Sequence, residues 1–177
     1  MCLPPQQYMA HGGGNAAMPY AHARGTLLDL IRRHRLHDGG VPVMVRQVAN
    51  DEGWQVAFRP LESLHGFAVV KGATKVMVIN SQLPTEYQRM AVAHEMAHDI
   101  LGHAGPLFTA QIHRGDFHDW MWDRCEREAT VAAARILIPL DRLAVGADAE
   151  EVAASCGVPV ELVETYAQHL RAGMPYT

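Results

Sequence analysis

Two histidines four residues apart, with a glutamate directly after the first, lie in the middle of the sequence as His94-Glu95-Met96-Ala97-His98. Residues four apart share one face of an α-helix, so both imidazoles can reach one metal ion while Glu95 stands beside it. The flanking residues are apolar and would half-bury both histidines, where an imidazole needs a partner. The pattern predicts a hydrolytic metal site: zinc lowers the pKa of its bound water, and Glu95 takes the proton.

A catalytic zinc ion takes three protein ligands and leaves its fourth position to water, so a third ligand must come from elsewhere in the chain. His103 is the nearest candidate, but it lies five residues after His98, about 140° round a helix, and would have to turn back after Gly102. The better candidates are two later glutamates, Glu126 and Glu128. The residues alone leave these alternatives open.

The histidines need a helix, and the residues around them predict its limits. Pro84 suits the first helical position, Glu86 in the first turn favours the helix dipole, and Gly102 ends the helix. A second long helix is predicted from roughly 119 to 138 and ends before Pro139. The candidate histidines and the candidate glutamates therefore lie on two separate helices.

The chain before these helices predicts a first helix and a small sheet. Thr26 is expected to cap a helix with an apolar stripe on one face. Four β-like runs follow, separated by turn-forming residues, and they predict a small antiparallel sheet of three or four strands: 41–48, 54–58, 64–71 and 75–80. The predicted fold class is α+β.

The two ends of the chain differ from its middle. Residues 1–24 are rich in Pro, Gly and Ala, lack apolar periodicity and predict a flexible tail. Residues 141–177 predict short helices that pack as an extension on a core domain of residues 25–140.

Composition narrows the classes of partner and compartment. The net charge of −4 and the pI of about 6.2 argue against binding to nucleic-acid phosphates. No apolar run reaches the ~18 residues of a membrane span, and the N-terminus does not resemble a secretory signal. Three scattered cysteines are too few for a disulfide framework or a Cys-based zinc site. We therefore expect a cytoplasmic protein with no direct nucleic-acid partner and no membrane partner.

The two helices together resemble a known family. His-Glu-Met-Ala-His followed by residues 126–139, Glu-Arg-Glu-Ala-Thr-Val-Ala-Ala-Ala-Arg-Ile-Leu-Ile-Pro, resembles the ImmA/IrrE family of metallopeptidases. That family pairs its His-Glu-x-x-His helix with a helix reading approximately Glu-x-x-Ala-Asn-x-Phe-Ala-Ala-x-Leu-Leu-Met-Pro. The run Ile100-Leu101-Gly102-His103 also looks like the family's continuation of the first motif. The resemblance covers roughly residues 26 to 140, and the chain departs from it at Thr130 and Ala132.

The resemblance implies a zincin-like minimal metallopeptidase core, in which helices pack on a small sheet of three to four strands and C-terminal helices follow. Its motif positions imply three Zn²⁺ ligands, His94, His98 and Glu126. Glu95 would be the catalytic base of a zinc metallopeptidase, and Glu128 is the competing assignment for the carboxylate ligand.

Further side chains could support such a site. Thr130 stands where the family favours Asn and would orient a ligand histidine more weakly, an effect worth about 10–100-fold. Asp99 or Asp123 could accept a hydrogen bond from the free N–H of a ligand imidazole, although surface carboxylates are the plainer interpretation. The oxyanion of a peptide hydrolase needs a donor. The candidates for that donor are Tyr87 and the three histidines of the loop 103–118, His103, His113 and His118.

The resemblance also implies a protein substrate, typically a DNA-binding repressor or antitoxin whose cleavage derepresses genes, and hence a role in transcription regulation. Two alternatives belong to other classes. One is a catalytically silent, metal-binding regulatory protein that only binds its partner. The other is a DNA-binding regulator that uses residues 150–166, which superficially resemble a helix-turn-helix, but the four glutamates there have the wrong sign to face phosphate.

Overall fold

The computed structural model describes residues 18–38, 40, 42–103, 120–144 and 146–173, and for residues 18–24 and 120–123 it describes the backbone only. Within these ranges the chain forms six α-helices and three strands. In chain order they are α1 (Met18–Arg33), α2 (Val45–Asp51), β1 (Trp54–Arg59), β2 (Gly66–Lys71), β3 (Thr74–Asn80), α3 (Thr85–Ile100), α4 (Trp120–Leu137), α5 (Ala149–Cys156) and α6 (Val160–Arg171). The α+β fold class predicted from the sequence is confirmed.

The sheet is mixed, with β3 between β1 and β2. β1 runs parallel to β3 and β2 runs antiparallel to it, so that Val56 and Ala68 lie on either side of Met77. Gly72, at a φ of 58°, lies in the tight turn that joins β2 to β3. The three strands were predicted, but the prediction of an antiparallel sheet is wrong for β1. Residues 60–65 connect β1 to β2 across the position between them that β3 occupies. Because β2 and β3 then form an antiparallel hairpin, β3 runs parallel to β1.

The predicted strand 41–48 is also wrong, because α2 begins at Val45. Valines with alternating neighbours favour a strand, yet from Val45 onward the buried residues are Val45, Val48 and Ala49. Their i, i+3, i+4 spacing is that of a helix with one apolar face. α2 packs that face against α3 and β1.

The first helix begins earlier than the sequence predicts. α1 starts at Met18, so Thr26 lies inside the helix and the prediction that it is an N-cap is wrong. The predicted apolar stripe is present, since Leu27 and Leu30 are both buried. Residues 1–17 of the predicted tail lie outside the described residues, and the remainder of that stretch is the start of α1.

α3 and α4 pack against each other in the middle of the core. Pro84 is the N-cap of α3 rather than its first residue, and the helix ends at Ile100, close to the predicted limits. Alanines are frequent among the buried residues of both helices, and small side chains let two helices approach closely. The fully buried members are Ala91, Ala93 and Ala97 on α3 and Ala129, Ala133 and Ala134 on α4.

Short helices follow α4, as predicted. A 3-10 helix spans Leu140–Leu143, and α5 and α6 come after it. The Asp148 carboxylate accepts hydrogen bonds from the first-turn N–H groups of α5 and caps that helix. α6 packs on α4 and buries Tyr166. Among the described helices, none is both long and apolar enough to cross a membrane.

Candidate metal centre

The predicted histidine pair lies on one buried face of α3. His94 and His98 are 5 % and 2 % exposed, and their Nε2 atoms are 3.0 Å apart. The two rings meet edge to face with their centres 4.7 Å apart. One turn of helix separates them, so the predicted helical spacing brings both imidazoles to one point.

α4 supplies a carboxylate to the same point. The Oε2 atom of Glu126 lies 3.1 Å from Nε2 of His94, and its Oε1 atom lies 3.4 Å from Nε2 of His98. The ligand atoms of the three residues all lie within 4.8 Å of one another, and this group could hold a metal ion. The close packing of α3 on α4 therefore creates the site.

The alternative third ligands lie on the other side of His98. His103 places its Nδ1 atom 3.2 Å from Nδ1 of His98, away from the Nε2 atom that faces Glu126. Glu128 lies 3.2 Å from Nε2 of His103 and accepts a hydrogen bond from Nε of Arg124 at 2.7 Å. The structure thus brings Glu126 to the histidine pair, whereas Glu128 pairs with His103.

The spacing of the three side chains fits zinc. Zinc binds imidazole nitrogen and carboxylate oxygen at about 2.0–2.2 Å, so the ligand atoms of a tetrahedral site lie about 3.3–3.6 Å apart. The contacts among His94, His98 and Glu126 range from 3.0 to 3.4 Å. Small side-chain adjustments would bring them to that geometry.

Thr130 on α4 contacts the ring nitrogen of His94 that points away from the site. The Thr130 hydroxyl donates to the Glu126 carbonyl at 2.8 Å, and its oxygen lies 3.5 Å from Nδ1 of His94. Because the only proton of that hydroxyl is used in the bond to Glu126, its oxygen can act only as an acceptor towards His94. With a metal ion bound at Nε2, the His94 ring would carry its proton on Nδ1, where this oxygen could accept it in a hydrogen bond. The contact is long, in keeping with the predicted weaker support from threonine.

Electrostatics prepares these side chains for a cation. Burial lowers the pKa of His98 to about 4, so its imidazole is neutral at pH 7. Burial alone would raise the pKa of Glu126, but hydrogen bonds and charges from His94 and His98 outweigh it and hold the value at about 2. A neutral imidazole and an ionised carboxylate are the forms that bind metal.

Glu95 is the most unusual carboxyl group of the site. It is 1 % exposed, and within the described part of the chain neither of its oxygens has a hydrogen-bond partner. Burial and then the charge of Glu126 raise its pKa to about 8. Buried carboxyl groups normally have partners, so this one is suited to a partner that arrives with metal, water or substrate.

Two other sequence candidates lie elsewhere. Asp99 forms an ion pair with Lys75 at 2.6 Å and is partly exposed, as expected of a surface carboxylate. The Tyr87 hydroxyl donates to Glu161 on α6, at 3.2 Å. His113, His118 and the side chain of Asp123 lie outside the described residues.

Sequence reasoning missed the contact between His103 and Glu128. The sequence feature that could have indicated this contact is Gly102, which follows α3 with a φ of 71°, in the left-handed region. The His103 N–H donates to the His98 carbonyl at 2.9 Å, and the Gly102 N–H donates to the Asp99 carbonyl at 3.1 Å. These two bonds form a Schellman motif, which folds His103 back beside His98.

Comparison with known proteins agrees with this site. The family model of the M78 peptidases, described as the IrrE N-terminal-like domain, matches residues 38–165, more than half of the chain. No curated protein gives a significant match. The matched region contains α3, α4 and all three candidate metal ligands. The chain therefore belongs to the IrrE N-terminal-like family of M78 peptidases, as its resemblance to ImmA/IrrE metallopeptidases predicted.

Proposed function

We propose that this protein is a zinc-dependent endopeptidase that hydrolyses a peptide bond in a protein substrate. The observation that carries the proposal is the position of Glu95, a buried carboxyl group without a hydrogen-bond partner among the described residues, next to three converging ligand side chains. The family match supports a metallopeptidase function. His94, His98 and Glu126 would hold the Zn²⁺ ion.

Zinc, when bound, supplies a Lewis acid and lowers the pKa of a water molecule to about 7. The chain's own part in hydrolysis belongs to Glu95, whose carboxylate would accept a proton from the attacking water and donate it to the leaving amine. His98, whose pKa is lowered by burial, would remain a neutral ligand.

The proposed substrate is a transcriptional repressor or an antitoxin, and the proposed setting is the cytoplasm. The substrate follows from the family resemblance, and the cytoplasmic setting follows from the few, scattered cysteines. Cys156 is a free thiol, in keeping with a reducing compartment. Cleavage of a repressor would make the protein a regulator of transcription without contact between this chain and DNA.

The alternative of a DNA-binding regulator has little support in α5 and α6. The apolar faces of these helices are buried, with Leu162 and Val163 each 2 % exposed. The glutamates of both helices are exposed and would repel phosphate. They are Glu150, Glu151, Glu161 and Glu164.

A substitution of Glu95 separates an active peptidase from a silent metal-binding protein. Glu95→Gln should keep about one Zn²⁺ per chain and lose cleavage of a co-expressed candidate repressor. Glu86→Gln, in the first turn of the same helix, is the matched control and should cleave like the wild type. Equal cleavage by the wild type and Glu95→Gln would refute the enzyme proposal.

A further inference from the structure

His103 and Glu128 lie outside the group of three residues that could hold a metal ion, yet they form a chain of contacts that ends on His98, a member of that group. Nδ1 of His98 lies 3.2 Å from Nδ1 of His103, and Nε2 of His103 lies 3.2 Å from the Glu128 carboxylate. The side chains of His103 and Glu128 are only 9 % and 13 % exposed. Arg124 holds the far oxygen of Glu128 at 2.7 Å.

The protons in this chain of contacts can be assigned from one end. The Glu128 carboxylate can only accept, so Nε2 of His103 donates to it. In the neutral form of His103, Nδ1 then has a lone pair and accepts a hydrogen bond from the Nδ1–H of His98. With its proton held on Nδ1, His98 can offer its Nε2 lone pair to a metal ion placed between Glu126 and His94.

We propose that His103 and Glu128 are positioning residues that fix the tautomer and the ring orientation of His98 for metal binding. They act through His98 and do not bind the metal themselves. The proposal rests on the metal site of the proposed function and adds a second layer of residues to it.

The backbone supports the same role for His103. The Schellman motif at Gly102 fixes the main chain of His103 by its hydrogen bond to the His98 carbonyl. In such a motif, the residue after the left-handed glycine commonly packs against the residue four positions before that glycine. In this chain the two residues are His103 and His98. Here that contact is between two imidazoles whose ring centres are 5.3 Å apart.

The two ligand histidines are therefore supported unequally. Nδ1 of His94 has a threonine oxygen at 3.5 Å, whereas Nδ1 of His98 has an imidazole that is backed by a carboxylate. A carboxylate behind a ligand histidine raises its basicity and holds its ring. In this chain we assign most of that support to the His98 side.

The test is the affinity for Zn²⁺, measured by competition with a chromophoric chelator. His103→Ala and Glu128→Ala should each weaken Zn²⁺ binding by about 10–100-fold. The double variant should bind about as weakly as either single variant, because both substitutions break the same chain of contacts. Glu128→Gln keeps an acceptor oxygen and should bind more tightly than Glu128→Ala.

His34→Gln is the matched control, because His34 and Glu52 form another histidine–glutamate contact, at 2.6 Å, that does not involve the metal ligands. This variant should bind Zn²⁺ like the wild type. The visible spectrum of Co²⁺-loaded His103→Ala should keep the band intensities of the wild-type coordination number. Wild-type-like Zn²⁺ affinity in His103→Ala and Glu128→Ala would overturn the proposal, as would a Co²⁺ spectrum that shows one ligand lost.

The outcome also distinguishes this inference from the proposed function. A wild-type chain that binds no Zn²⁺ refutes both. A wild-type chain that binds Zn²⁺ with the same affinity as the His103 and Glu128 variants refutes only the positioning role.

Discussion

Replacing Glu95 with methionine should make the metal-free protein more stable while it abolishes hydrolysis. Glu95 is 1 % exposed and its two oxygens have no hydrogen-bond partner within the described residues. A buried polar group without a partner costs about 1–3 kcal/mol. Methionine has a similar length and no such cost, and its flexible side chain adapts to the space.

The expected gain is about 2 kcal/mol in the free energy of unfolding, which for a chain of this size raises the Tm by about 4–8 °C. Urea unfolding and thermal unfolding, both with excess chelator, measure it. Glu95→Gln is the comparison variant, since its amide stays polar and buried and should gain much less. The gain would mark Glu95 as a residue kept for chemistry at the expense of stability.

A Glu95→Met protein that unfolds at a lower urea concentration than the wild type would refute this reasoning. It would mean that the Glu95 carboxyl group has a stabilising partner in the folded protein. Equal stabilisation by methionine and glutamine would also contradict it, because the effect would then not depend on removing the polar atoms.

Three further predictions concern residues outside the metal ligands. Gly102→Ala should lower the free energy of unfolding in urea by about 1 kcal/mol, because the φ of 71° strains any other residue, although no atom of the described residues lies within 4 Å of a Cβ there; an unchanged stability would contradict the motif. Asn80→Ala should cost about 2–3 kcal/mol, since the Asn80 amide donates to the Leu61 and Leu64 carbonyls; a loss below about 0.5 kcal/mol would oppose this. Cys156 is buried, and burial raises the pKa of its thiol. Alkylation of Cys156 at pH 8 should therefore occur only after the protein unfolds; rapid labelling in native buffer would contradict its burial.

The helices of the site could be predicted because their signals are local. Pro84 and Gly102 bracket α3, and the histidine spacing places both imidazoles on one face of it. The strand order could not be predicted, because it depends on where β3 enters relative to β1. Nothing in the short run from 54 to 58 distinguishes a parallel neighbour from an antiparallel one.

The choice between the two glutamates of α4 shows a similar limit. Glu126 and Glu128 are two residues apart and point to different sides of the helix. The rotation of α4 about its own axis decides which side of the helix faces His94. The packing of α4 on α3 sets that rotation. The family resemblance favoured Glu126, and the packing places Glu126 beside the histidine pair, with Glu128 beside His103.

X-ray diffraction from Zn²⁺-loaded crystals, recorded at the zinc absorption edge, shows whether His94, His98 and Glu126 bind zinc. We expect one anomalous peak, about 2.0–2.2 Å from Nε2 of His94, Nε2 of His98 and the Glu126 carboxylate. A map without such a peak, or with zinc bound through His103 or Glu128, would contradict it.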